Sequence, residues 1–327
     1  MHKEVISKMK KIVFILALCT TLGIKAQKTD RVEIDYRLEL LPLNVISKER
    51  IFQVKVTCDY AHLVEQWNKE KRDDIIPTLI PAETESLIVI PGFTKSSSAK
   101  DSISIVFSGL DYKGGSAPGL LAYLPLKAKM RIKNDKGEVV FNDYLPMEQK
   151  YIDYSPGVVD KLAKSYAKME VLARNKSIEL INLFLKTNYG FNEIKESSSF
   201  TDVKDKKYTY PEYHEAIEKM KIALSNINEK DKQAEVELNI KSAIAIWEKS
   251  LTELNTNDKD ARINKNIAAG TYLNIALAYT WLKNFDKADE AILNFDKQDE
   301  KFNVSENKFK AFYRNYKPRV ESYKNYQ

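Results

Sequence analysis

Histidine and cysteine are nearly missing from this chain, with 3 His and 2 Cys in 327 residues. That scarcity removes most of the usual material for metal ligation and nucleophilic catalysis. His214-Glu215 opens like a zinc-protease pair, but position 218 is Glu where the second His would stand. No Gly-x-Ser-x-Gly, Walker or paired-cysteine motif occurs. We therefore expect no catalytic residues, no metal and no cofactor. A hydrolase built on two carboxylates that meet only in three dimensions stays open as an alternative.

Long apolar runs are also scarce. One exists, Ile12–Ile24, and at about 13 residues it is too short to span a bilayer. It follows Lys3, Lys8, Lys10 and Lys11 and is followed by Lys25-Ala26. This is the order of a secretory signal peptide over residues 1–26, with cleavage after Ala26 and Met9 as the natural initiator. A buried N-terminal helix is the alternative. Cys19 is preceded by Leu18, where lipidation signals carry a small residue, so a lipid anchor is not expected. The expectation is an exported protein of the periplasm or cell surface, with no integral membrane span.

A strong charge of one sign is missing as well. Removing five Lys and one Glu with residues 1–26 leaves 47 basic and 45 acidic residues. A balance this even gives no reason to expect nucleic acid. It also leaves Cys58 alone, without an internal disulfide partner. Cys58 shares its parity with Phe52, Val54 and Val56 in an alternating segment and is expected to face a core.

What is present falls into two halves, an α+β chain with a β-rich domain at 27–150 and a helical domain at 151–327. Val32–Leu38, Arg50–Cys58 and Asp101–Ser108 alternate with period two, as half-buried strands do. Ser86–Ile90 is a short apolar run closed by the turn pair Pro91-Gly92. Lys127–Ile132 and Glu138–Phe141 flank Asp135-Lys136-Gly137 and read as a hairpin. Short strands separated by turns predict a β-sandwich-like domain. Tyr60–Asp74 reads as a short helix or an edge excursion, and Gly109–Gly119 as a surface loop. Composition shifts at Ser155-Pro156, and helical spacing then runs from Val158 to about Gly190. Glu193–Lys207 reads as a polar loop. Helices are predicted over Glu212–Ile227, Lys232–Leu254, Asp260–Lys283, Asp286–Phe295 and Ser305–Tyr326, the last kinked or broken by Pro318.

The clearest local signature is Tyr272–Ile292. It holds Tyr272, Ala276, Tyr279, Phe285, Ala288 and Ile292 at fixed offsets. This resembles a tetratricopeptide repeat (TPR), in which two antiparallel helices recur every ~34 residues. Ala276 and Ala288 match the small positions of that family, while Phe295 and Glu300 depart from its usual Ala and Pro. Weaker echoes lie around Ala216 and Ala243. An ordinary helical bundle is the alternative, and the number of true repeats stays open. The signal ending in Ala-Gln, the strand-rich front and Asn264–Ala269 also resemble exported proteins of Bacteroidetes-type bacteria, which implies no activity.

In the resembling family a concave groove is lined by the first helix of each repeat. By position, Asn274, Leu277, Thr280 and Trp281 would face it. The resemblance implies a scaffold that binds another envelope protein, with Trp281 as an anchor. Trp281 packed against a neighbouring helix is the alternative. A second reading is glycan binding or delivery at the envelope, motivated by the Tyr-rich segments Tyr208–Tyr213 and Tyr313–Tyr326.

Overall fold

The structure is a computed structural model that describes residues 28–59, 81–108, 112–114, 120–123, 127–145, 151–154, 162–300 and 302–326. The signal-like segment, Tyr60–Asp74 with His62, and the Ser155-Pro156 boundary lie outside the described residues. So does Gly109–Gly119 except for Tyr112–Gly114, which form a strand.

The chain is α+β. In order it contains β1 (Thr29–Leu40), β2 (Ile51–Cys58), α1 (Pro81–Leu87), β3 (Thr94–Lys95), β4 (Ser102–Ser108), β5 (Tyr112–Gly114) and β6 (Leu120–Tyr123). Then come β7 (Lys127–Lys133), β8 (Val139–Tyr144), β9 (Tyr151–Tyr154), α2 (Leu162–Tyr189) and β10 (Asn192–Val203). Five helices close it: α3 (Pro211–Ser225), α4 (Gln233–Leu251), α5 (Lys265–Trp281), α6 (Phe285–Asp296) and α7 (Asn303–Asn325). It divides into two compact units, Met1–Leu38 with Lys195–Lys317, and Glu39–Ile194 with Pro318–Gln327.

The sheet unit is built on a five-stranded sheet of order β3-β2-β4-β7-β8. β2 and β4 are parallel, whereas β7 runs antiparallel to both of its neighbours, β4 and β8. Alternation decides its faces. Phe52, Val56, Ile103, Ile105, Phe107, Ala128, Met130 and Ile132 form one buried face. They share a core with Ile178, Ile181, Leu185 and Tyr189, one stripe of α2. The partner of the sheet's apolar face, among the described residues, is thus a helix where a second sheet was expected. α2 was assigned by composition to the helical half, and it lies in the sheet unit. The predicted hairpin forms, with Gly137 at φ +82° and Asn134 Oδ1 accepting the Lys136 and Glu138 amides.

The predicted strand at Ser86–Ile90 is instead the end of α1 and an extended stretch. Asn182 holds that stretch by accepting the Val89 amide and donating to the Leu87 carbonyl, both at 2.9 Å. Glu85 of α1 accepts the Val56 amide at 2.8 Å, closing part of the sheet edge.

In the helical unit, α3 pairs with α4 and α5 with α6, and the two pairs begin 54 residues apart (211 to 265). That exceeds the ~34 of a regular TPR array. Pro211 opens α3, and Asn264 caps α5 by accepting the Ile267 amide at 3.0 Å. Ala216, Ala243, Ala276 and Ala288 are fully buried, where a small side chain lets helix backbones approach. One sequence expectation fails here, and of a second, the kink or break at Pro318, the break is absent. Glu193–Lys207, read as a polar loop, is mostly β10, which pairs with β1. Ser198, Ser199 and Thr201 are buried there, where Ser198 bonds Tyr36 Oη at 2.8 Å and Ser199 bonds Ser305 at 2.9 Å. Helix α7 also runs through Pro318 without a break.

Candidate functional site

Helix α5 is buried on nearly every side, with 13 of its 17 residues out of solvent. The four residues expected to line an open groove are among them. Asn274 is 1% exposed, and its amide clamps the backbone of Thr201 on β10, accepting from the nitrogen at 2.8 Å and donating to the oxygen at 2.7 Å. Thr280 donates to the Ala276 carbonyl of its own helix at 2.8 Å, and Leu277 is buried beside it. Trp281, 4% exposed, meets Tyr36 edge-on at 5.2 Å and the rings of Phe312 and Tyr316 at 5.0 and 5.4 Å. The face that would have been a groove is occupied by β1, β10 and α7. Gly270 permits the close approach, since a Cβ there would lie 2.4 Å from Thr201 Cγ2.

The accessible site lies on another stripe of α5. Tyr272, Ile275 and Tyr279 stand three and four residues apart, so they share a face. Glu248 and Leu251 from α4, and Lys287, Glu290, Ala291 and Asn294 from α6, complete a cleft of about 200 Å³. Its floor is Ile275 and Ala291, both buried; its walls are two half-buried tyrosines and charged tips. Tyr279 donates to Glu248 at 2.9 Å, and Lys287 pairs with Glu290 at 2.7 Å. Burial, followed by the Glu248 carboxylate, pushes the Tyr279 hydroxyl up to about 12. It therefore stays protonated and can act as a fixed donor. Burial raises the Tyr272 hydroxyl too. Hydrogen bonding to Lys287 lowers the Glu290 carboxyl, so that group is a settled anion at neutral pH.

The cleft carries two carboxylates against one ammonium. It offers ring faces and fixed negative charge around an apolar floor. Such a lining suits a cationic or amide-bearing side chain: cation–π attraction supplies ~0.5–1 kcal/mol at exposed sites and more once water is expelled. Tyr272 and Tyr279 were legible in the sequence only as space-filling repeat aromatics. Their i, i+7 spacing, matched by Lys287 and Asn294, is the signal that would have found the cleft.

His214 lies on the surface of α3, with Nδ1 2.8 Å from Asp202 and Nε2 3.7 Å from Asp205. Desolvation opposes its charged form, and the two carboxylates outweigh it, so its pKa rises. Among the described residues no cluster of three His, Cys, Asp or Glu side chains is placed to hold a metal ion, and no helix is long and apolar enough to cross a membrane. Comparison with protein-family models, with curated proteins and with solved structures finds no match to this chain.

Proposed function

We propose that the chain is an exported, non-enzymatic binding protein whose TPR-like helical region captures a segment of another envelope protein, and that the α4–α5–α6 cleft receives a cationic side chain of that segment. The observation that carries this reading is the convergence of three helix stripes on one cleft with two tyrosine rings and a carboxylate surplus. The tight Ala276 and Ala288 contacts of the α5–α6 pair support the TPR-like assignment, and the signal-like residues 1–26 support export.

The test is a pull-down with the whole chain from envelope extract, run beside Glu248→Gln/Glu290→Gln and in competition with short peptides carrying one Arg or one Glu. We expect a retained protein that the double variant loses and that the Arg peptide displaces about tenfold more effectively than the Glu peptide, as opposite charge at a fixed carboxylate requires. Equal retention by the double variant, or equal displacement by both peptides, would remove the cleft from the reading.

A further inference from the structure

The second face of the five-stranded sheet faces away from its core, and its composition is one-sided. β7 projects Lys127, Lys129, Arg131 and Lys133 from that face, at every second position and exposed or nearly so. Same-face neighbours along a strand lie about 6.6 Å apart, so the row runs for roughly 20 Å. Register brings more of the same. Ser104 of β4 stands opposite Arg131, and Lys55 of β2 stands opposite Ser104. Ser102 lies beside Lys133, and Asn142 and Tyr144 of β8 lie beside Arg131 and Lys129. The Lys129 ammonium sits 5.9 Å from the Tyr144 ring centre.

No carboxylate occupies a position of this face on β2, β4, β7 or β8. Among the described residues, Lys55, Lys129, Arg131 and Lys133 form no ion pair with an acidic side chain. These four cations on one flat face repel one another, and in a chain with nearly balanced charge their segregation calls for an anionic partner.

We propose that this sheet face is a docking surface for an acidic polysaccharide, a site separate from the cleft and independent of the reading given for it. Charge complementarity selects a polyanion. The filling between the cations selects the kind: hydroxyls and amides from Thr57, Ser102, Ser104, Gln53 and Asn142 match sugar hydroxyls, and Tyr144 offers a ring face at one end. A membrane surface would be met by a cluster of apolar side chains that insert, whereas the apolar side chains here are scattered: Val106, half-buried between Lys129 and Thr57, Val139 beside Lys133, and half-buried Ile51 at the start of β2. Single-stranded nucleic acid would be met by several stacking aromatics, and the face has one.

The test uses the whole chain and three probes: polygalacturonate, neutral dextran, and phosphatidylglycerol vesicles. Two variants accompany it. Lys129→Gln/Arg131→Gln/Lys133→Gln empties the row. Lys230→Gln/Lys249→Gln/Lys221→Gln removes the same charge from exposed helix positions, and a thermal melt checks that each variant folds. We expect retention by polygalacturonate alone, weakening as salt rises, with affinity at least about tenfold lower in the row variant and unchanged in the helix variant. No binding to polygalacturonate, equal loss in both variants, or binding to vesicles in preference to polygalacturonate would each overturn the proposal.

Discussion

The sheet of the larger β region and helix α5 stand in opposite relations to their own sequence patterns. On β2, β4 and β7 every second residue is apolar and the others are Lys, Arg, Ser, Thr or Gln apart from Ile51 and Val106, so inside and outside are largely written into the alternation. On α5 the residues are apolar or small on nearly all sides, and 13 of 17 are buried. A pattern names the inner face only when there is an outer one to contrast with it. The sheet could therefore be read to the residue. The outward stripe of α5 could not, and the family-based placement of its groove selected a face that other elements cover.

The contrast is sharpest at Trp281. If α5 is core on that side, Trp281→Ala opens a cavity among Tyr36, Phe312 and Tyr316 and costs about 3–5 kcal/mol. Trp281→Phe costs clearly less, because the indole nitrogen has no hydrogen-bond partner to lose. Denaturant unfolding of the two variants measures this. A Trp281→Ala protein with wild-type stability would restore the open-groove reading of α5.

Next in size is the clamp between α5 and β10. Asn274→Ala leaves the Thr201 nitrogen and oxygen buried without partners, at ~1–3 kcal/mol for each unsatisfied group. Gly270→Ala forces a Cβ into the Thr201 side chain. Both should lower the melting temperature, with hydrogen exchange at Thr201 accelerating most. If Thr201 keeps its protection in both variants, the strand does not rest on this face of the helix.

The sheet unit carries a polar exception inside its own core side. Asp101 is 1% exposed and neither of its carboxylate oxygens has a hydrogen-bond partner. Burial pushes its carboxyl up to about 6 from an ordinary 3.8. The sign follows: the folded chain holds this proton up to about pH 6, while the unfolded chain releases it near 3.8. Its contribution to stability is therefore greatest below pH 3.8 and is lost as pH rises to about 6. Asp101→Asn should stabilise by about 1–2 kcal/mol at pH 7 and by little at pH 4. Unfolding curves at the two pH values check this, and an equal effect at both would mean that the carboxyl is not protonated in the fold.

The smallest expected effect is at the cleft itself. Tyr279→Phe removes a donor to Glu248 from a partly solvated wall and should change stability by less than about 0.5 kcal/mol while weakening ligand capture. A large loss of stability would mean that the tyrosine serves the fold first.

Most elements were legible from local chemistry. The alternation of β2, β4 and β7, the Gly137 turn and Pro211 at the start of α3 all act within a few residues of themselves, whereas the helix expected from Asp260 begins only after its Asn264 cap. The failures were of another sort. Glu193–Lys207 reads as a loop because it is rich in Ser and Lys, yet Ser198–Thr201 are buried on both faces of the strand, and the Ser198 and Ser199 hydroxyls become good core residues only when Tyr36 and Ser305 arrive as partners. Ser86–Ile90 reads as a strand because it is a short apolar run, of which Ile88 and Ile90 are buried and Leu87 and Val89 exposed, yet its backbone bonds go to Asn182.

What the sequence by itself determined is most of the elements, their inward and outward faces where polarity alternates, and the basic row of β7. Those properties are local, since they depend on period, turn residues and side-chain charge within one segment. Tertiary structure alone decided that β10 covers α5, that α2 belongs to the sheet, and that Tyr272 and Tyr279 share a cleft with Glu248 and Glu290. Each of those depends on which distant segment supplies the missing hydrogen bond or the facing apolar stripe, and no local pattern carries that information.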